Sequence, residues 1–126
     1  MHFAFWAVLV AAVLPILWAG VAKSGGGYDN HAPRQYLDKL TGWRQRAQWA
    51  QQNAWEALTP FAAGVIIATL QQVPPERIDA AALVFLLARV AHGFCYVADK
   101  ATLRSLLWLL GFSTVVYLFL LAAHLL

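Results

Sequence analysis

The feature that most constrains the fold of this chain is an apolar run near its start. Residues 2–22, HFAFWAVLVAAVLPILWAGVA, contain no Asp, Glu, Lys or Arg. A helix needs about 20 mostly apolar residues to cross a bilayer, so the run is predicted to be a transmembrane helix. A secretory signal peptide is the competing interpretation, because small residues cluster near Ala22. It is the weaker one, since signal peptides begin with a basic segment and no Lys or Arg precedes this run.

The composition of the whole chain supports a membrane location. Hydrophobic residues make up 61% of the 126 residues and charged residues only 12%, whereas soluble domains contain about 25% charged residues. A soluble domain of this size leaves a large share of its surface in water, and this chain has too few polar residues to cover that surface. We therefore expect one domain, residues 1–126, that is integral to the membrane and contacts membrane lipid.

Several classes of function are disfavoured by the same sequence. The net charge of +3 is modest and no nucleic-acid-binding motif is present, so no nucleic-acid partner is expected. The chain has no glycine-rich phosphate loop and no GxSxG nucleophile elbow. The single cysteine, Cys95, excludes an internal disulfide and a cysteine-based metal site. No metal ion is expected.

Three further stretches are predicted to be membrane spans. They are residues 43–72, 77–98 and 102–126. The second span begins polar, WRQRAQWAQQNAWEAL, and then becomes apolar, so its first half is expected to stand partly out of the hydrocarbon. Pro74 and Pro75 force the turn that follows it. The expected fold class is all-α, an integral membrane four-helix bundle.

The charges of the loops predict which side of the membrane each helix end faces. Loop residues 23–42 and their flanks carry five cations, whereas the turn after the second span carries only Arg77. A short interfacial turn is expected in the first loop, around Arg34–Leu40. The third connection carries Lys100 and Arg104. Since cytoplasmic loops are enriched in Lys and Arg, the first and third loops are expected in the cytoplasm and both termini outside, in a bacterial inner membrane.

Polar residues recur along one face of each of the later spans. On the third span, Arg89, His92 and Tyr96 are spaced i, i+3 and i+7, which places them in one stripe of a helix. The corresponding stripe of the second span is Arg46, Trp49, Asn53 and Glu56. The fourth span opens with Arg104 and Ser105. All three groups lie at the predicted cytoplasmic ends, so antiparallel packing is expected to bring them to one depth.

Charged residues inside a membrane span are energetically unfavourable. Each costs about 2.5–3.5 kcal/mol at the bilayer centre on insertion scales, and they persist when they pair or line a polar cavity. Glu56 facing Arg89 or Arg104 would neutralise one charge. The remaining cations would then be free to hold an anionic ligand.

Each of these residues also has a simpler interpretation when it is taken alone. Arg104 can extend to the lipid headgroups, and Asn53 with Glu56 can join two helices without any ligand. His92 alone is typical of a packing residue, and Tyr96 alone is typical of an aromatic residue at the membrane interface.

Taken together, the polar residues form three short motifs in a fixed order. They are NxxE in the second span, RxxHxxxY in the third and RS at the start of the fourth. This order resembles the MAPEG family, the membrane-associated proteins in eicosanoid and glutathione metabolism. The matching residues are Asn53–Glu56, Arg89–His92–Tyr96 and Arg104–Ser105, and the similarity covers about residues 43 to 112. The resemblance implies a four-helix membrane bundle that assembles as a homotrimer.

The resemblance also implies a ligand and a chemistry. In the family's enzymes, glutathione binds between subunits near the cytoplasmic face. The binding residues here would be Arg46, Asn53, Glu56, Arg89, His92 and Tyr96. Arg104, assisted by Ser105, would stabilise the thiolate, since a nearby cation lowers the pKa of a thiol. The thiolate could then attack a small lipophilic substrate, either an electrophilic lipid or a hydroperoxide, that arrives from the bilayer.

The chain departs from the family pattern at two positions. Family enzymes often carry arginines one and four residues before the Asn of the second span, and here these residues are Gln52 and Trp49. The family also contains members that bind lipid or partners without catalysis. Three hypotheses follow: a glutathione-dependent transferase or peroxidase, a non-catalytic MAPEG-like protein that holds a lipid or a partner protein, and a small membrane subunit of unrelated mechanism.

Overall fold

The computed structural model describes all 126 residues, and it consists of helices joined by turns. A short 3₁₀ turn, Lys23–Gly25, follows the first of five α-helices. The five are α1 (Phe3–Ala22), α2 (Pro33–Asp38), α3 (Gly42–Leu70), α4 (Pro75–Val97) and α5 (Ala101–Ala122). The prediction of an all-α fold is confirmed. Each of the four long helices occupies one of the predicted spans, and α2 lies where a short turn was expected.

Three of the helices are long and apolar enough to cross a membrane. They are α1 with the turn that follows it (Phe3–Gly25), α4 and α5. With 29 residues α3 has more than the necessary length, but its first half is rich in Gln and Arg. Length and hydropathy together therefore identify three candidate spans, one fewer than the four predicted.

Long-range hydrogen bonds show that the long helices run alternately up and down. At one end, the backbone N–H of Ala4 donates to Asp79 Oδ1 at 2.8 Å, and Arg77 donates to Tyr117 Oη at 3.3 Å. At the other end, Arg46 Nε donates to the Val97 carbonyl at 3.0 Å. Both chain termini and the α3–α4 turn therefore lie at one end, which we call the terminal end. The first loop and the α4–α5 connection lie at the opposite end, which we call the loop end.

The core lies around α3 and α4, which pack against each other and against both α1 and α5. Phe61 of α3 and Phe85 of α4 are buried with their rings stacked, 3.8 Å between centroids. Gly64 of α3 lies so close to α5 that an added Cβ atom would be 3.2 Å from Leu118 Cβ. Close packing of small residues is how membrane helices associate without a hydrophobic driving force.

The outer surface of the long helices is apolar. Large side chains such as Ile16, Leu87 and Leu106 are 59%, 63% and 59% exposed. A water-soluble protein of this size rarely exposes such continuous apolar surface, whereas lipid is the natural solvent for it. The surface therefore agrees with the membrane location that the composition predicts.

The helices α3, α4 and α5 end in the same capping motif, and none of the three uses glycine. After α4, the N–H of Lys100 bonds to the carbonyl of Cys95 at 2.8 Å, and the N–H of Asp99 to that of Tyr96 at 3.2 Å. This is the Schellman pattern, which places one residue in the left-handed region. The left-handed residues are Gln72, Asp99 and His124, with φ of 60°, 60° and 56°. The motif at Asp99 turns the chain directly into α5 and so sets the position of Arg104.

Candidate functional site

A polar recess of about 240 Å³ lies near the loop end, where α3, α4 and α5 meet. Its lining residues are Asn53, His92, Tyr96, Arg104, Ser105 and Trp108. All except Trp108 are candidate site residues predicted from the sequence. Trp108 could have been predicted from the sequence, because it follows Arg104 by four positions, which is the spacing of neighbours on one helix face.

Arg89 is buried beside this recess and is held by one neighbour. It is 4% exposed, and its Nη2 donates to Asn53 Oδ1 at 2.7 Å. A guanidinium group has five N–H donors, so Arg89 keeps donors available for a ligand. The expected pairing of Glu56 with Arg89 or Arg104 does not form. Glu56 is exposed on α3, and the amide of Asn53 takes the position next to Arg89.

Arg104 lies over the ring of Tyr96 instead of extending along the helix towards headgroups. Its guanidinium carbon is 4.5 Å from the ring centroid, a cation–π distance. The ring of His92, which is only 3% exposed, meets Tyr96 edge-on at 5.7 Å. Trp49 packs against the same ring at 6.3 Å. Tyr96 therefore forms the centre of an aromatic cluster that holds Arg104 at the recess beside Ser105.

Arg46 has a different surrounding from the other predicted binding residues. It does not line the recess, and its Nε donates to the Val97 carbonyl at 3.0 Å. The last carbonyls of a helix have no partner within the helix, so Arg46 caps the end of α4. It ties the start of α3 to the residue that follows Tyr96.

A second cavity, which we call the apolar chamber, adjoins the polar recess on the side of the membrane interior. Its volume is about 140 Å³, and Asn53 and Trp108 line both cavities. The other lining residues are Glu56, Ala57, Pro60, Phe85, Arg89, Gly111, Phe112 and Val115. Sequence reasoning singled out only Asn53, Glu56 and Arg89 of this set, because apolar residues at helical spacing resemble ordinary core.

A third cavity, of about 410 Å³, lies between α2 and the polar half of α3. Its lining includes Arg34 and Asp38 of α2, and Gln48 and Gln51 of α3. The Oε1 atoms of Gln48 and Gln51 are buried and accept no hydrogen bond within the chain. No group of three or more His, Cys, Asp or Glu side chains in the structure is placed to hold a metal ion.

Comparison with known proteins identifies the family. The model of the MAPEG family matches residues 3–124, which is nearly the whole chain. Neither a curated protein nor a solved structure matches the chain. The match extends well beyond the three short motifs and includes α1 and the end of α5, which carry none of them. This chain therefore belongs to the MAPEG family of integral membrane proteins in glutathione and eicosanoid metabolism.

Proposed function

We propose that this MAPEG protein binds glutathione in the polar recess and uses it as a transferase or peroxidase on lipophilic electrophiles. The observation that carries the proposal is a pair of arginines without carboxylate partners. Arg89 is buried against Asn53, and Arg104 is held over Tyr96. Buried cations in membrane helices are retained where they serve a ligand or a pathway. An anion with several polar groups is the ligand that such a recess favours.

The chemical groups around the recess suit the parts of glutathione. Arg89 and Tyr96 offer donors to a carboxylate, and Glu56 offers acceptors to the ammonium group. Arg104 and Ser105 lie together on the first turns of α5, where a cation and a hydroxyl group would favour a thiolate over a thiol. Bound glutathione supplies a nucleophilic sulfur. The residues of this chain would orient this sulfur and keep it deprotonated as a thiolate.

A second function is favoured by Trp49 and Gln52, which occupy positions where family enzymes often carry arginines. Trp49 is 42% exposed and packs on Tyr96, so an aromatic surface replaces a cation at the edge of the site. Each missing charge-assisted hydrogen bond costs about 1.5–3 kcal/mol of binding. This observation supports a non-catalytic member that holds a lipid or a partner protein in the same recess.

The two functions differ in whether a thiolate forms in the recess. Glutathione should stabilise the purified protein against thermal unfolding, and it should give an ultraviolet difference spectrum of a thiolate near neutral pH. Arg104→Ala should reduce the thiolate signal about tenfold, because the thiol pKa returns towards its free value of about 8.5. Binding should weaken less than thiolate formation does, because Asn53, Arg89 and Tyr96 still hold the rest of the tripeptide.

Arg44→Ala is the matched control for Arg104→Ala. Arg44 lies near the same loop end and stacks on Trp43 at 5.7 Å, but it lines neither cavity of the site. Its removal should leave both the thiolate signal and the affinity unchanged. A wild-type protein with neither a thiolate signal nor turnover at millimolar glutathione would refute the enzymatic function and leave the binding function.

We further propose that α3 crosses the membrane with α1, α4 and α5 as a four-helix bundle, and that three copies assemble as a homotrimer. The polar first half of α3 supports the assembly, since contacts between copies would cover side chains that lipid solvates poorly. The cations near the loop end support a cytoplasmic location for this end of the bundle. Both termini would then lie outside, in a bacterial inner membrane.

A further inference from the structure

Two half-buried cations from different helices meet at the loop end, outside the polar recess. Lys23 directly follows the last residue of α1, and Arg44 lies in the first turn of α3. The guanidinium group of Arg44 lies against Gly25, at the place that a Cβ atom of this residue would occupy. Both cationic side chains therefore lie at the short 3₁₀ turn Lys23–Gly25.

The chain itself does not neutralise these two charges. Lys23 Nζ lies over the ring of Tyr28, 4.6 Å from its centroid, and the guanidinium carbon of Arg44 lies 5.7 Å from that of Trp43. Asp29, the acidic residue nearest to Lys23 along the chain, accepts a hydrogen bond within its own turn at 2.9 Å. Aromatic faces hold a cation without cancelling its charge, so the 3₁₀ turn presents two positive charges to its surroundings.

The 3₁₀ turn lies where the hydrocarbon region of the membrane ends. The apolar span that begins at Phe3 ends at Gly25, which places Lys23 and Arg44 at the depth of the lipid headgroups. Trp43 is 48% exposed, and tryptophan is enriched at this depth because its ring is apolar and its N–H is polar. The dipole of α1 favours a cation at its C-terminal end, but it does not account for the second cation that α3 brings there.

We propose that Lys23, Arg44 and Trp43 form a binding site for the phosphate group of an anionic membrane phospholipid. Ammonium and guanidinium groups are the side-chain groups that bind phosphate, and the ring of Trp43 would lie beside the glycerol and the first acyl carbons. Anionic lipids attract basic residues next to a membrane span. None of the three residues lines the polar recess, so the lipid would bind whether or not the protein uses glutathione.

Gly25 allows Arg44 to be moved without removal of its charge. A Cβ atom at Gly25 would fall on the guanidinium group, which is the flexible end of a side chain and can swing away. Gly25→Ala should therefore fold as the wild-type protein does, while it displaces Arg44 from the site. The matched control is Gly20→Ala, since a Cβ atom at Gly20 of α1 would meet nothing within 4 Å. Neither glycine has a positive φ.

Native mass spectrometry of the delipidated protein, titrated in mild detergent with phosphatidylglycerol or phosphatidylcholine, measures the affinity for the first bound lipid. The wild-type protein should bind phosphatidylglycerol more tightly than phosphatidylcholine. Gly25→Ala and Arg44→Gln should each weaken the binding of phosphatidylglycerol about fivefold, and Lys23→Gln/Arg44→Gln about thirtyfold, because each basic residue near the surface contributes one such factor. Gly20→Ala should bind phosphatidylglycerol as the wild-type protein does.

A double variant of equal net charge separates a defined site from the general attraction of a basic surface. Arg34→Gln/Lys39→Gln removes two cations of the first loop that lie on and directly after α2, and it should keep the wild-type affinity. Equal losses in the two double variants, or equal affinities of Gly25→Ala and Gly20→Ala, would overturn the proposal. Displacement of phosphatidylglycerol by inorganic phosphate would also overturn it, because the ligand would then be a soluble phosphate compound and not a lipid.

Discussion

At the scale of single residues, the pair formed by Arg89 and Asn53 gives the site its buried positive charge. A guanidinium group that is 4% exposed within a helix needs a partner, and the amide oxygen of Asn53 at 2.7 Å is the one it has. An amide satisfies one donor without neutralising the charge. The pair therefore keeps a cation in the interior, as an anion-binding site requires and a purely structural contact does not.

A double-mutant cycle tests this description of the pair. Asn53→Leu should destabilise the protein by about 1.5–3 kcal/mol, because a buried charged group loses its hydrogen bond. The double variant Asn53→Leu/Arg89→Leu should recover most of that loss, since removing both partners leaves no unpaired polar group. The free energy of unfolding in mixed detergent measures both effects. Equal stability of Asn53→Leu and the wild-type protein would show that Arg89 finds another partner or is hydrated.

At the scale of helices, the chain ends α3, α4 and α5 with left-handed residues that are not glycine. An ordinary L-residue in this conformation costs about 1–2 kcal/mol, and Asp is more tolerant than Gln because its short side chain bonds locally. The helices keep the motif because it directs each following segment. At Asp99 it turns the chain into α5, whose first turn carries Arg104 over the ring of Tyr96.

Glycine at the left-handed position should therefore strengthen a helix end. Gln72→Gly should stabilise the protein by about 0.5–1 kcal/mol, because the relief of backbone strain exceeds the added entropy of the unfolded chain. The neighbouring Gln71, with φ of −82°, provides the matched control. Gln71→Gly should destabilise by a similar amount, since only the entropic effect remains. Thermal unfolding of the two variants measures the difference, and a loss of stability in Gln72→Gly would contradict the strain argument.

At the scale of the whole molecule, the polar half of α3 is the feature that a single copy leaves incomplete. This first half carries Arg44, Arg46 and several glutamines, and α3 is the one long helix that hydropathy does not identify as a span. Both facts have one explanation in the proposed trimer. Contacts between copies would cover the polar segment, so that lipid would not have to solvate it.

Native mass spectrometry in a mild detergent should therefore give an ion of three copies. A cysteine introduced at Gly26, in the first loop, should react with an impermeant reagent only after the cells are opened, since the loop end is assigned to the cytoplasm. A single copy or a pair would contradict the assembly. Labelling of Gly26→Cys in sealed cells would contradict the orientation and leave the assembly unaffected.

The sequence by itself determined the features that depend on local periodicity and composition. Apolar length predicted α1, α4, α5 and the second half of α3. The spacing of Arg89, His92 and Tyr96 placed these three residues on one face, because helical geometry relates residues a few positions apart whatever surrounds them. The alternating direction of the helices then brought the three motifs to one end. The family assignment rests on the same order of motifs, and the match over residues 3–124 confirms it.

Only the tertiary structure decided which side chains meet across helices. Asn53 rather than Glu56 lies against Arg89, Arg46 caps the carbonyl of Val97, and Gly111 opens a chamber that periodicity alone describes as core. These contacts join residues on different helices, so they depend on how far each helix is rotated and how closely the backbones approach. Those quantities come from the packing of the whole set of side chains, which no short stretch of sequence contains.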